Sequence, residues 1–158
     1  MIDLTYRTAR PSDIAGMASL RAQTWGTEDY WQSRIRGYMD GTINPQHALP
    51  SRTLFVAMVG DEVIGLIGGH LTQRFDCEGE LEWIDVAPAH RGSGVASALF
   101  LELGEWFVRQ DAKRVCVNVE PTNHAALRFY RKHGSETLNE HWQVWPDIGA
   151  SLSALRPL

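Results

Sequence analysis

Apolar and polar residues alternate along residues 2–8, the two-residue period of a half-buried strand. Pro11-Ser12-Asp13 then supplies a start signal for a helix over about 13–24, with Ile14, Met17 and Leu20 at helical spacing. A second helix is predicted over about 27–40, carrying Tyr30, Trp31, Ile35, Tyr38 and Met39. Gly41, Pro45 and Pro50 mark residues 41–52 as a loop. Two β-type runs, about 53–59 and 62–72, flank Gly60-Asp61 and read as a hairpin. After a polar connection at 73–79, a strand over about 79–87 runs into a glycine-rich turn and a helix over about 93–110. In that helix Val95, Leu99, Leu103 and Trp106 form a core stripe. A strand at 113–120, a helix at 123–133 and a last strand at about 136–145 follow, and residues 146–158 are weakly patterned.

This order predicts an α/β fold, a mixed sheet flanked by helices, in which the crossover helix 93–110 makes its two strands parallel and right-handed. The 158 residues, 44% hydrophobic and 22% charged, are expected to form one soluble domain over 1–158. No apolar run is long enough to span a membrane, and Met1-Ile2-Asp3-Leu4-Thr5-Tyr6 lacks signal-peptide features, so the cytoplasm is expected. A net charge of −4 without a basic stripe argues against nucleic acid as a partner. Cys77 and Cys116 have no ligand-type spacing, so no metal is expected. Cys116 reads as a buried small hydrophobe in a Val-rich strand. Cys77 reads as a loop thiol whose neighbours Asp76 and Glu78 would raise its pKa.

The run Val86-Ala87-Pro88-Ala89-His90-Arg91-Gly92-Ser93-Gly94-Val95-Ala96 carries the most chemistry. Strand, tight glycine turn and helix N-terminus in succession leave free N–H groups backed by a helix dipole, an anion site suited to a pyrophosphate. One reading is the dinucleotide fingerprint G-x-G-x-x-G, which Gly92, Gly94 and Ser97 match at two of three glycines, with Glu120 as the ribose-binding acid. That fingerprint belongs in the first βα turn, whereas at least three strands precede this one. The better reading is that Arg91-x-x-Gly94-x-Ala96, preceded by Val86-x-Pro88, resembles the R/Q-x-x-G-x-G/A loop of the GNAT superfamily of N-acetyltransferases. Asn123-x-x-Ala126-x-x-x-Tyr130-x-x-x-Gly134 resembles the second signature of that family, and the hairpin 55–65 stands where the family has one. The resemblance covers about residues 1–140, with specific motifs over 82–134, and departs at Ser135, where an apolar residue is common.

The resemblance implies a GNAT-like twisted sheet, mostly antiparallel, with a central parallel strand pair splayed at the acetyl-CoA site. It implies acetyl-CoA as co-substrate, held by Val86 and Ala87 at the strand end, by Arg91, Gly92, Ser93, Gly94, Val95 and Ala96 in the turn, by Asn123, and by Arg131. Tyr130 is placed near the sulfur as general acid, since an ordinary Tyr keeps its proton at pH 7. Glu80 and Glu82 are two residues apart and expected on one strand face, with Trp83 and Asp85 on the other and Asp76 and Glu78 extending the acidic row. Several members of the family use a Glu on this strand as general base, directly or through water, and Glu82 is slightly favoured over Glu80. A solvated acidic edge is the competing reading, and His70 and His141 are rival bases. Trp31, Glu82 and Trp142 are the candidates for gripping the acceptor, with Trp145 as a further stacking surface.

The resulting expectation is an N-acetyltransferase moving acetyl from acetyl-CoA to a primary amine of a cationic small molecule or peptide, by direct attack in a ternary complex. The alternative in a different class is a non-catalytic acyl-CoA sensor of the same fold. The resemblance also implies a homodimer formed through the C-terminal strands, where the aromatic segment 138–148 lies.

Overall fold

In the computed structural model, which describes residues 3–155, one seven-stranded sheet runs through the molecule in the order β1-β2-β3-β4-β5-β7-β6. Residues 1–2 and 156–158 lie outside the described residues. The strands are β1 (Leu4–Thr8), β2 (Ala48–Val59), β3 (Glu62–Thr72), β4 (Gly79–Val86), β5 (Val115–Asn118), β6 (Glu136–Asn139) and β7 (Trp142–Trp145). The helices are α1 (Ile14–Ala22), α2 (Glu28–Asp40), α3 (Val95–Arg109), α4 (His124–Lys132) and α5 (Ile148–Leu155). Every paired neighbour is antiparallel except β4 and β5. That parallel pairing covers only Gly79↔Val115, Glu80↔Cys116 and Leu81↔Val117, so the strands part from residue 82 onward. The expected sheet, with its splayed parallel pair behind helix α3, is the one observed.

Apolar side chains fill both faces of the sheet. On one, α3 and α5 bring Leu99, Leu103, Phe107, Ile148 and Leu152 against Ala57, Ile67, Leu81, Val115 and Val117. Gly104 lets α5 approach closely, because a Cβ there would meet Leu152 Cδ2 at 2.6 Å. On the other face, α1 and α2 bring Ile14, Met17, Trp31, Ile35 and Tyr38 against Val56, Met58, Leu66 and Trp83. Helix α2 starts where the Thr27 hydroxyl accepts the Tyr30 N–H at 3.1 Å and Glu28 and Asp29 face the positive helix end.

Four sequence expectations change. Strand β2 begins at Ala48, inside the predicted loop, because Ala48 and Arg52 pair with Thr72 and His70 around a bulge that tolerates Pro50. The Arg52 guanidinium also ties that segment down by donating to the carbonyls of Tyr38, Ile43, Leu49 and Pro50. The last strand is a hairpin, β6 and β7, turned where Asn139 Oδ1 accepts the His141 N–H at 3.1 Å. The described part of the weakly patterned tail forms α5, whose start is capped by Asp147 Oδ1 on the Ala150 N–H. Finally, Gly68 pairs with Trp83 while its neighbour Gly69 pairs with Leu81, so Glu82 is an extra residue in β4. This bulge shifts the alternation by one. Trp83 packs with the α1–α2 side and Asp85 pairs with Arg21 of α1, on the side where Glu82 lies rather than opposite it. No helix among the described residues is long and apolar enough to cross a membrane.

Candidate active site

The parting of β4 and β5 opens a cleft of about 590 Å³, lined by the end of β4, the glycine turn, the first turn of α3, and α4. Gly92 and Gly94 both take the left-handed conformation, φ 77° and 87°, which a side chain would strain. They carry the chain from Arg91 into α3, where Gly94 is the N-cap and its carbonyl accepts the Ala98 N–H at 3.0 Å. The N–H groups of Val95, Ala96 and Ser97 come before the first intrahelical bond and sit on the cleft wall. His90, Arg91 and Lys132 bring basic side chains to the same wall.

Of the residues assigned to the cofactor from sequence, Val86, Arg91, Gly92, Gly94, Val95, Ala96 and Asn123 line this cleft. Ala87 does not, and its N–H is already used on the Ile64 carbonyl at 2.8 Å. Ser93 turns its hydroxyl back onto the His90 carbonyl. Arg131 faces solvent with Nη2 3.5 Å from Thr137 Oγ1, and Lys132 takes the cleft position instead. Arg91 folds over the strand end, Nε donating to the Val86 carbonyl at 3.1 Å. Asn123 caps α4, its Oδ1 accepting the Ala126 N–H at 3.2 Å, and lines the cleft as well.

Tyr130 is buried against Trp145 at the inner end of the cleft. Burial, with a further push from Asp85, raises its hydroxyl well above the ordinary Tyr value. Asp85 also lines the cleft and holds Arg21 Nη1 at 2.7 Å. The Arg21 guanidinium lies 4.3 Å over the Trp31 ring and 5.7 Å over Trp83. Burial raises the Asp85 carboxyl, and Arg21 works against that rise. The sequence pattern did not point to Arg21 or Asp85, since their partnership spans 64 residues and depends on the β4 bulge.

Behind the fork, on the α2 side, Glu80, Glu82 and His70 of β3 cluster, one polar atom of each within 4.8 Å of the other two. Arg74 Nε donates to Glu80 Oε1 at 3.0 Å. Burial, then the charge of Glu82, pushes the Glu80 carboxyl up to about 7, and burial also raises Glu82. Burial, then the repulsion of Arg52 and Arg74, pushes His70 down to about 4. The donor types would suit a cation, but Arg74 already places a positive charge on Glu80 and Arg52 adds another toward His70. The acidic row does not extend as expected. Asp76 is exposed in a turn, and Glu78 accepts the Lys113 N–H at 2.8 Å, away from this cluster.

Trp31 is buried in the core, its indole N–H donating to the Trp25 carbonyl at 2.8 Å, so the exposed aromatics on this side are Trp25 and Tyr30. Trp142 is half-buried beside Phe75, with Arg74 4.6 Å over its ring, which brings it to the Glu80 side. Trp145 is wholly buried in the core. His141 is exposed, 3.8 Å from Glu120, and is not part of the cleft. Cys77 is buried against Cys116 rather than free in a loop. A hydrogen bond from Cys116 lowers Cys77 to about 7, the opposite of the expected direction, and raises Cys116. The contact brings together residues on β5 and just before β4, which sequence spacing does not reveal.

Residues 18–135 match the family described as Acetyltransferase (GNAT) family. The chain belongs to the GNAT family. It is 31% identical over 93 residues to an uncharacterized N-acetyltransferase, YobR, of Bacillus subtilis (strain 168), a match over 59% of this chain. The chain spans 37% of the length of that curated relative. The crystal structure of Ard1 from Thermoplasma volcanium superposes with a TM-score of 0.72 at 22% identity, covering 90% of this chain and 95% of that one. A PaiA N-acetyltransferase from Thermoplasma acidophilum in complex with coenzyme A superposes with a TM-score of 0.66 at 14% identity, covering 90% and 98%. At these identities the two structures establish the shared GNAT fold.

Proposed function

We propose that this GNAT protein transfers an acetyl group from acetyl-CoA to a primary amine by direct attack in a ternary complex, acting in the cytoplasm. The observation that carries the reading is the single cleft that joins the glycine turn, the open start of α3 and the buried Tyr130. The pyrophosphate of acetyl-CoA lies against the N–H groups of residues 92–97, with the positive helix end and the basic wall behind it. The thioester arm runs along β4 into the fork, toward Tyr130. The amine comes from the other side, where Glu82 stands at the point of parting.

Glu82 takes a proton from the ammonium, which frees the nitrogen lone pair to attack the thioester carbonyl. The nitrogen of the tetrahedral intermediate still carries one extra proton. As the C–S bond breaks, Tyr130 gives its hydroxyl proton to the departing sulfur and recovers the extra proton from that nitrogen, which leaves the amide and the CoA thiol. The cationic acceptor needs one refinement. Arg21, Arg34, Arg52 and Arg74 all act on Glu82, so the acceptor side lacks the surplus negative charge that would draw a polycation. The acceptor we favour carries a single ammonium on a flat or apolar body, facing Trp25, Tyr30 and Trp142. A homodimer belongs to the same reading, through the outer edge of β6, which has no further partner strand among the described residues.

The test is release of free CoA thiol from acetyl-CoA with 2-phenylethylamine, spermidine, kanamycin, phenylalanine amide and a short peptide. Amine-dependent release, fastest with a monoamine, is the expected result. Tight acetyl-CoA binding by calorimetry with no release from any amine would favour the sensor reading instead.

A further inference from the structure

His70 meets a different carboxylate at each ring nitrogen. Nδ1 lies 3.9 Å from Glu82 Oε2, and Nε2 lies 3.8 Å from Glu80 Oε1. The imidazole is fully buried, and its Nε2 has no hydrogen-bond partner. Nδ1 is also 3.0 Å from the Tyr38 hydroxyl of α2. The three groups form a close triangle, one polar atom of each lying within 4.8 Å of the other two. Glu82 is the more exposed carboxylate, at the fork, and Glu80 is the more buried, paired with Arg74 on the turn before β4. A ring nitrogen left unpaired in the interior is costly. Here a movement of less than about an ångström toward Glu80 brings it within hydrogen-bond distance.

We propose that Glu82, His70 and Glu80 form a proton relay that carries the proton of the acceptor ammonium away from the fork to the Arg74 edge. The proposal rests on Glu82 being the base. In the resting state the Tyr38 hydroxyl donates to Nδ1, so Nε2 carries the imidazole proton. After Glu82 takes the ammonium proton, its O–H bond breaks as the Nδ1–H bond forms, and the Nε2–H bond breaks as a Glu80 O–H bond forms. The Tyr38 hydroxyl then turns to accept from Nδ1–H. One proton enters at Glu82 and one appears on Glu80, the histidine ends as the other neutral tautomer, and net charge is conserved. The groups facing this ring suit the exchange. Arg52 of β2 and Arg74 oppose a second proton on His70, while Arg21, Arg34, Arg52 and Arg74 favour a charged Glu82 once its proton has passed on. Arg74 at 3.0 Å holds Glu80 in place and connects it to the surface.

Two measurements test the relay. In ¹⁵N NMR at pH 7, His70 is expected to be a neutral imidazole whose tautomer balance shifts in Glu82→Gln and in Glu80→Gln. An imidazolium, or a tautomer unmoved by both changes, would overturn the proposal. In steady-state assays with whichever panel amine is turned over, His70→Gln and Glu80→Gln are expected to lower kcat about tenfold or more, with acetyl-CoA affinity unchanged and the loss shrinking as pH rises. If Glu82→Gln abolishes turnover while His70→Gln and Glu80→Gln keep the wild-type kcat and pH profile, the relay is wrong and Glu82 stands alone as base. If Glu82→Gln is as active as wild type, the base assignment fails and the relay with it. Loss of activity with a chelator and recovery with zinc would replace the relay by a cation site. Acetyl-CoA binding by calorimetry reports whether each variant is folded, and Glu80→Gln with the NMR result decides the question if His70→Gln is not.

Discussion

Tyr130 and His70 show how burial sets chemistry one residue at a time. Tyr130→Phe keeps the ring against Trp145 and removes only the hydroxyl, so kcat should fall about tenfold or more while acetyl-CoA affinity stays the same. Steady-state kinetics beside calorimetry check this, and an unchanged kcat with chemistry rate-limiting would remove Tyr130 from the mechanism. His70 and Glu80 act on stability with opposite signs. The folded His70 is held at about 4 against 6.5 when unfolded, so below pH 6.5 the unfolded chain takes up the proton and stability falls until about pH 4. Glu80 is held at about 7 against 4.5, so the folded chain takes up the proton first and stability rises as pH falls from 7 to about 4.5. Each effect is on the order of 3 kcal/mol and they nearly cancel. His70→Gln removes one side of the balance. Its melting temperature should rise between pH 7 and 5 relative to wild type, and a parallel pH dependence of the two proteins would contradict the assignment. These partnerships were not legible in the sequence. Tyr38 and His70 are 32 residues apart, Arg21 and Asp85 64, and only the packing of α1 and α2 on the sheet brings them together. Tyr130, Asn123 and the glycines were legible, because each stands at a fixed distance from a turn or helix start in one continuous stretch.

At the scale of elements, the turn between β4 and α3 does two jobs with the same atoms. It reverses the chain, and it leaves the first N–H groups of α3 open to the cleft. A Cβ at Gly94 would meet nothing within 4 Å, so Gly94→Ala isolates the cost of a left-handed backbone. That cost is about 1 kcal/mol, and if the turn relaxes to avoid it, acetyl-CoA binding should weaken about fivefold. Calorimetry checks this, and unaltered affinity would show that the cofactor does not depend on this conformation. Helices α1 to α4 and the central hairpin were legible from periodicity and caps. The β6–β7 turn was not, because its polar run Asn139-Glu140-His141 is short and holds no Gly or Pro. Helix α5 was missed because its eight residues bury only Ile148 and Leu152, too short a stripe to stand out.

Across the whole molecule, a sheet with apolar packing on both faces keeps its buried ion pairs on one of them. The face under α3 and α5 holds the large core, while the α1–α2 face carries the buried charges. Leu152 seats α5 on Gly104 and is not among the residues that line the cleft. Leu152→Ala should cost about 3 kcal/mol in denaturant unfolding yet leave the KM for acetyl-CoA unchanged. A shifted KM would mean that α5 supports the site from behind. The fold class was legible because the order of strands and helices, with one crossover, admits few sheets. The site's second wall was not, since it rests on one unpaired residue in one strand.

That residue, Glu82, sets the parity of the strand. Beyond it, each side chain faces the way its neighbour would in an unbroken ladder. Deleting Glu82 would therefore straighten the ladder, since Leu81 and Trp83 already face the consecutive residues Gly69 and Gly68. Trp83 and Asp85 would stay with α1 and α2, Ile84 and Val86 with α3, and Arg21 would keep its anion. The shortened strand would lose one thing only, the carboxylate that the kink now holds out of line at the fork.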